Sequence, residues 1–311
     1  MSAIIQLHQI PLHSGHITKP RWSPDGRFLA VPTQSGSIGI FDLETGQVAQ
    51  TLGSHSDGVT AVAWDRKAEF ILTGSLDRSV GLWELKSGRR APFTGSGHKE
   101  PVHSVEWTDE EAYAITCSLD RIRALDGYCL HTGWTEEMED AINKSTGFTA
   151  AACSSRTTFL LGLIGENGAR LMLANLASAE VLARVPMEER AGCMAWSPHE
   201  ELLAVGTGQS ILAFRATHGG FEGSPRELTR HAPDVRALSF SGDGTLLASR
   251  DVEGLKIWDV DDARLIAALH ENIQAHLASG IAFHPTRPLL AAVTPDGSAF
   301  RILEVQSEGS L

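Results

Sequence analysis

One twelve-residue pattern recurs along almost the whole chain. It reads PRWSPDGRFLAV at 20–31, VAWDRKAEFILT at 62–73, VEWTDEEAYAIT at 105–116, MAWSPHEELLAV at 194–205, LSFSGDGTLLAS at 238–249 and IAFHPTRPLLAA at 281–292, and more loosely AACSSRTTFLLG at 151–162. Its anchor residues, Trp22, Trp64, Trp107, Cys153, Trp196, Phe240 and Phe283, are spaced by 42, 43, 46, 43, 44 and 43 positions. Each unit has the same internal order. An alternating apolar strand ends at the anchor, a polar turn such as SPDG follows, then a strand such as RFLAV, a second turn and a third strand such as SIGIFDL. One such unit cannot bury both of its faces alone. Stacked neighbours must supply the core, and a ring closed on itself leaves no unprotected sheet edge.

Composition agrees with a folded chain of this kind. With 311 residues, 42% of them hydrophobic and 21% charged, the chain can bury a sizeable core, and a closed all-β architecture reaches this length as one domain. The formal net charge of -12 argues against a nucleic-acid interface, which needs a clustered basic face. The opening MSAIIQLHQIPLHSGH does not read as a secretory signal, and no stretch approaches the roughly 20 apolar residues of a membrane span. Cys117, Cys129, Cys153 and Cys193 form no CxxC pair, so reduced thiols in the cytoplasm are expected rather than a disulfide framework. The CLH at 129–131 is too little for a zinc site, and neither metal nor cofactor is expected.

The chain resembles the WD-repeat β-propeller family. The residues that carry the resemblance are the third-strand dipeptides Phe41-Asp42, Trp83-Glu84, Trp258-Asp259 and Leu303-Glu304, and the leaders Gly15-His16, Ser54-His55, Gly97-His98, Arg230-His231 and Ala275-His276. Repeats four and five depart most: neither has the leading His, and their third strands read MLANL and LAFRA. The resemblance implies an all-β, seven-bladed β-propeller of four-stranded antiparallel blades in a single domain, residues 1–311. The blades fall at about 16–53, 54–96, 97–143, 144–186, 187–229, 230–271 and 272–305, the last completed by residues 3–12. An N-terminal strand, AIIQLHQI, would thus close the last blade.

The tetrapeptide SLDR occurs at 75–78 and again at 118–121. In the family, a His before the first strand, a Ser or Thr in the second, an Asp in the following turn and a Trp in the third form a buried hydrogen-bonded tetrad. Here the matching residues are His55, Thr73, Asp77 and Trp83. The third repeat offers His98, Thr116 and Asp120, with Leu125 where Trp is expected. The same residue types could form a nucleophile, base and orienter, but buried imidazole and carboxylate groups need partners, and mutual satisfaction inside a blade provides them. The structural reading is preferred, and no catalytic residue is assigned.

In the family, the residue before that Asp faces the top surface, where partner contacts concentrate. Here it is Leu76 and Leu119, on adjacent blades, with Arg21, Thr60, His103, Arg190 and Arg236 expected nearby at the starts of first strands. Aliphatic groups ringed by Arg suit a protein-binding surface; the alternative is that the leucines only pack on neighbouring loops. On the bottom, Trp134, Met138 and Ala141 or Ile142 fall at helical spacing with Glu136, Glu137, Glu139 and Asp140 between them, which suggests an acidic helix that would join TDEE at 108–111 against a basic partner, or else a solvated loop. The expectation is a non-enzymatic scaffold or adaptor that binds protein or peptide partners, a monomeric propeller within a hetero-complex. The alternatives are a hydrolase or lyase with its site at the channel mouth, and a ligand-sensing regulatory propeller.

Overall fold

The computed structural model describes residues 3–11, 18–53, 55–91, 98–108, 113–126, 142, 148–153, 160–165, 168–199, 201–230, 234–274 and 280–306. The turn that follows each anchor shows how the sequence makes a blade. In the first unit Ser23 N donates to Phe28 O at 2.8 Å, Phe28 N donates to Ser23 Oγ at 2.9 Å, and Gly26 N donates to Ser23 O at 2.9 Å. Gly26 has φ +76°, and a Cβ there would lie 2.3 Å from the His284 ring, so both conformation and space demand glycine. Ser241, Asp243 and Gly244 repeat the device in the sixth unit, with Leu246 N donating to Ser241 Oγ at 2.9 Å.

These turns join strands into seven antiparallel sheets, each in meander order. Blade 1 consists of Arg21–Trp22, Phe28–Pro32, Ser37–Asp42 and Gln47–Gly53. Blades 4, 5 and 6 are likewise four-stranded, so the two units whose sequences depart most from the repeat keep its strand order. Among the described residues blade 2 shows three strands, Val59–Trp64, Phe70–Ser75 and Val80–Glu84, and a bridge between Trp83 and Arg90. Blade 3 shows Val102–Trp107, Tyr113–Ser118 and Ile122–Asp126 among the described residues. In blade 7 the outermost strand is Ala3–Pro11, which pairs with Ala299–Gln306 from Ala3 opposite Gln306 to Pro11 opposite Ala299, with a register shift between Gln6 and His8. The fold is an all-β propeller of seven blades, closed by the N-terminal strand.

Seven apolar clusters hold the ring, one in each seam between consecutive blades. At the closing seam, Leu29, Val31 and Phe41 of blade 1 meet Ala291, Val293 and Phe300 of blade 7, the two Phe rings edge to face at 5.2 Å. Around the channel, side chains also tie each inner strand to its neighbour's backbone. The indole N–H of Trp22 donates to Ala282 O at 3.0 Å, that of Trp64 to Arg21 O at 3.0 Å and that of Trp196 to Ala152 O at 2.8 Å. In the other direction Thr18 Oγ1 donates to Val59 O at 2.9 Å and Ser104 Oγ to Ala151 O at 3.1 Å. Phe283 lacks an indole donor, and there Ser239 Oγ accepts from its backbone N–H at 2.9 Å.

The Trp anchors are therefore hydrogen-bond donors as well as apolar plugs. Replacing Trp64 by Phe keeps the ring and removes only the bond to Arg21 O, so unfolding free energy is expected to drop by about 1–2 kcal/mol with the fold retained. Urea denaturation of the two proteins measures it; an unchanged midpoint would mean that the indole bond contributes nothing net.

Candidate functional site

The two SLDR stretches form turns that carry the same polar network beneath the same exposed leucine. In blade 2, His55 is buried, with Nδ1 3.1 Å from Asp77 Oδ2 and Nε2 2.7 Å from Thr73 Oγ1; the Trp83 indole donates to Thr73 Oγ1 at 3.0 Å. The ionised Asp77 accepts from Nδ1–H, which leaves Nε2 to accept from the Thr73 hydroxyl. Burial lowers the His55 pKa, against the pull of Asp77. Asp77 is also pushed upward by burial, but the hydroxyl and amide of Ser79, the amide of Ser56 and the His55 imidazole hold it well below the usual carboxylate range. Gly81 makes the network possible: a Cβ there would lie 2.7 Å from Thr73 Oγ1 and 2.9 Å from Trp83 Nε1. Sequence reasoning missed this glycine, although its place opposite Thr73 in SVGLWEL was the available signal.

Blade 3 repeats the network without its last member. His98 Nδ1 is 3.0 Å from Asp120 Oδ1 and Nε2 is 2.8 Å from Thr116 Oγ1. Leu125 lies opposite Ala114 as Trp83 lies opposite Ile71, and Arg123 takes the place of Gly81. In blade 6 Trp258 Nε1 donates to Ser249 Oγ at 2.7 Å; its leader His231 lies outside the described residues, as do His16, Ser54 and His276. Thr73 and Thr116 are fully buried with their hydroxyls engaged, so no substrate reaches them. These networks can brace a turn and cannot act as nucleophile and base.

What they brace is the leucine. Ser75 Oγ donates toward Asp57 O and Gly58 O at 3.1 and 3.0 Å, Leu76 N donates to Gly58 O at 2.9 Å, and Arg78 closes the turn at φ +71°. Between these fixed points Leu76 is 40% exposed, and Leu119 on the adjacent blade is 39% exposed. Thr60, His103 and Arg236 each stand four residues before their anchors, at one level of the channel rim, and Arg190 is exposed in the turn leading to blade 5. The hydroxyl of Thr60 is committed between Gly74 O and Val102 O, at 3.0 and 2.5 Å.

Arg21 does not join that rim. It directly precedes Trp22, three residues farther along the channel, beside Glu106 at 2.6 Å. Its depth follows from its sequence position, one residue before the anchor instead of four; the inner strand of blade 1, Arg21–Trp22, starts there after Pro20, which cannot donate to a ladder. Trp134, Glu136, Glu137 and Met138, with residues 109–111, lie outside the described residues.

Comparison with known proteins agrees with this architecture. A family model described as the anaphase-promoting complex subunit 4 WD40 domain matches residues 4–67, and one described as WD domain, G-beta repeat, matches 91–122 and 223–259. The crystal structure of the Myceliophteria thermophila Cps50 (Swd1) β-propeller domain superposes with a TM-score of 0.80 at 20% identity, covering 98% of this chain and 100% of that one. Together these matches and the fold support a WD-repeat β-propeller. Among curated relatives, the WD repeat-containing protein SL1-17 of Schistosoma mansoni is 30% identical over 172 residues, 55% of this chain and 54% of that protein. The pre-mRNA-processing factor 19 homolog 2 of Arabidopsis thaliana is 24% identical over 239 residues, 70% of this chain and 40% of that protein. The matches thus span about half of these relatives' length or less.

One feature of this WD-repeat propeller was not foreseen. In the seam between blades 6 and 7, Arg250 is fully buried, with Nη1 donating to Gly280 O at 3.0 Å and Nη2 to Val293 O at 2.5 Å. Glu271 lies between two guanidiniums, Oε2 3.5 Å from Arg250 Nη2 and Oε1 2.6 Å from Arg301 Nη1. Burial lowers the Arg250 pKa to about 10, Glu271 opposing and Arg301 adding, so it stays charged at neutral pH. The signal in sequence was an Arg inside the apolar strand LLASRD, where a blade's face meets the next.

Two outcomes are expected. Replacing Glu271 by Ala leaves two guanidiniums buried without their carboxylate and should destabilise the WD-repeat propeller by about 3–5 kcal/mol, as thermal or urea unfolding would show. The His55 and Asp77 shifts act in one direction. Both groups have folded pKa values below their unfolded ones, so their contribution is present above about pH 6.5, the ordinary His value, and declines as pH falls through the carboxylate range. Urea midpoints measured from pH 7 to pH 4 should fall, and less steeply in a His55→Gln variant; equal slopes would sink this account.

Proposed function

We propose that this WD-repeat propeller is a non-catalytic platform that binds protein partners on the face bearing Leu76 and Leu119. The observation that carries the reading is the pairing of each exposed leucine with a fixed support: a buried His–Asp–Thr network holds the turn on which each stands. An apolar side chain held in place loses little freedom on binding, and a pair on neighbouring blades can anchor one partner. Arg190 and Arg236 on the same side provide the Arg-rich surround that such surfaces favour. A family model named for a subunit of a large complex matches the first 64 residues of the aligned region, 4–67, which supports placing the chain in a hetero-complex. A cytoplasmic setting, where the thiols of Cys117 and Cys193 stay reduced, completes the proposal.

The test is affinity capture with the full chain, wild type against a Leu76→Asp, Leu119→Asp double variant. A stoichiometric partner should be recovered with the wild type and lost from the variant, while the melting temperature changes little because both side chains face solvent. Retention of the partner, or unfolding of the variant, would overturn the reading.

A further inference from the structure

The inner strands enclose a channel with a cavity of about 450 Å³. Its charged lining is unlike the rest of the molecule: Lys19, Arg21 and Arg236 face a single carboxylate, Glu106, in a chain of net charge -12. Two of the three cations are matched. Arg21 pairs with Glu106 at 2.6 Å, and Arg236 pairs with Asp234 at 3.1 Å on the rim. Lys19 is not. Among the described residues nothing stands within hydrogen-bonding or ion-pairing distance of its ammonium.

Lys19 also has the right depth for a ligand. It lies three residues before Trp22, level with Ser104 and Cys193, one step inside the rim where His103 and Arg236 stand. Its side chain touches channel water, yet the surrounding walls lower its pKa by burial, and its charge helps to lower that of His103, which burial already depresses. Walls of low dielectric focus the field of such a charge into the channel, and an unpaired, partly desolvated ammonium gains most from an anion that reaches it. Ser104 and Cys193 on the same level direct their donors to the neighbouring blades' carbonyls, so Lys19 supplies the free donors at that depth.

We propose that the channel is an anion site in which the Lys19 ammonium receives a carboxylate or phosphate group, with Arg236 at its entrance. The group could belong to a free multivalent anion or to an acidic side chain of a bound segment; in the second case the entry side rests on the proposed leucine-bearing surface. The chain has only six lysines, so each can be followed by NMR after ¹³C-methylation, with Lys19 assigned by its loss in a Lys19→Met variant.

Citrate and inorganic phosphate serve as free anions, and a fluorescein-labelled Asp/Glu peptide as the segment, with a Lys/Arg peptide as control. The Lys19 resonance should move, and its pKa rise, with citrate, phosphate or the acidic peptide and not with the basic one. Affinity should fall about tenfold or more in Lys19→Met, the scale of one charge-assisted hydrogen bond, recover in Lys19→Arg, and stay unchanged in Lys67→Met on the exposed surface. A response to the small anions alone identifies a free ligand; a response to the peptide alone identifies an acidic segment. No response to any anionic probe, or equal binding by Lys19→Met, would overturn the proposal. Anion binding by the Leu76→Asp, Leu119→Asp variant reports on the channel alone, and loss of its protein partner on the surface alone.

Discussion

A small sheet with apolar side chains on both faces has nowhere to put them except between two other sheets. That requirement governs this molecule. Each blade leans on the one before and the one after, and the seven seam clusters differ in detail but not in kind. Among the described residues, polar groups between the blades include hydrogen-bonded sets, as in the His–Asp–Thr networks, and mutually opposed charges, as in Arg250, Glu271 and Arg301. The outward display of Leu76 and Leu119 depends on the same rule, since the groups that fix those turns are buried ones.

Around the channel the constraint is different. Seven inner strands converge, and each has a backbone edge that no further strand can pair. Side chains take that role: Trp indoles reach back to the preceding blade, and Thr18, Ser104 and Cys193 reach forward to the next. With the edge groups occupied in this way, the chemistry left in the channel belongs to the few charged side chains that are not ties. Among the described residues, Lys19 has no hydrogen-bond or ion-pair partner.

Much of this was legible in the sequence because repetition averages out local ambiguity. The anchors from Trp22 to Phe283 showed the period, and the leaders and third-strand dipeptides carried the resemblance that implied seven blades and the closing strand. What escaped was whatever depended on position within a strand. Arg21 was grouped with His103 and Arg236 as the start of a first strand, and it does begin one, but it stands one residue before its anchor where they stand four before theirs, so it lies three residues deeper. Gly81 is silent in sequence because its importance lies in the atoms that surround it. Arg250 and Arg301 are 51 positions apart and meet through Glu271, a juxtaposition that no local pattern announces. Lys19 was overlooked for the opposite reason, since one lysine near a turn is unremarkable until the ring places it inside a channel.

The closing strand also orders events in time. Ala3–Pro11 precedes every other strand of the propeller and finds its partner, Ala299–Gln306, only after the six intervening blades have been synthesised. Until then Ile4 and Ile10, which pack into the two seams flanking blade 7, have no surface to cover, and the facing edge of blade 1 lacks its neighbour. A loop spanning all the intervening blades must close for the last step, a slow contact by the usual dependence on sequence separation. The nascent propeller therefore carries an open, apolar-flanked sheet edge while its blades are made, and its exposure to mispairing ends only when these two strands meet.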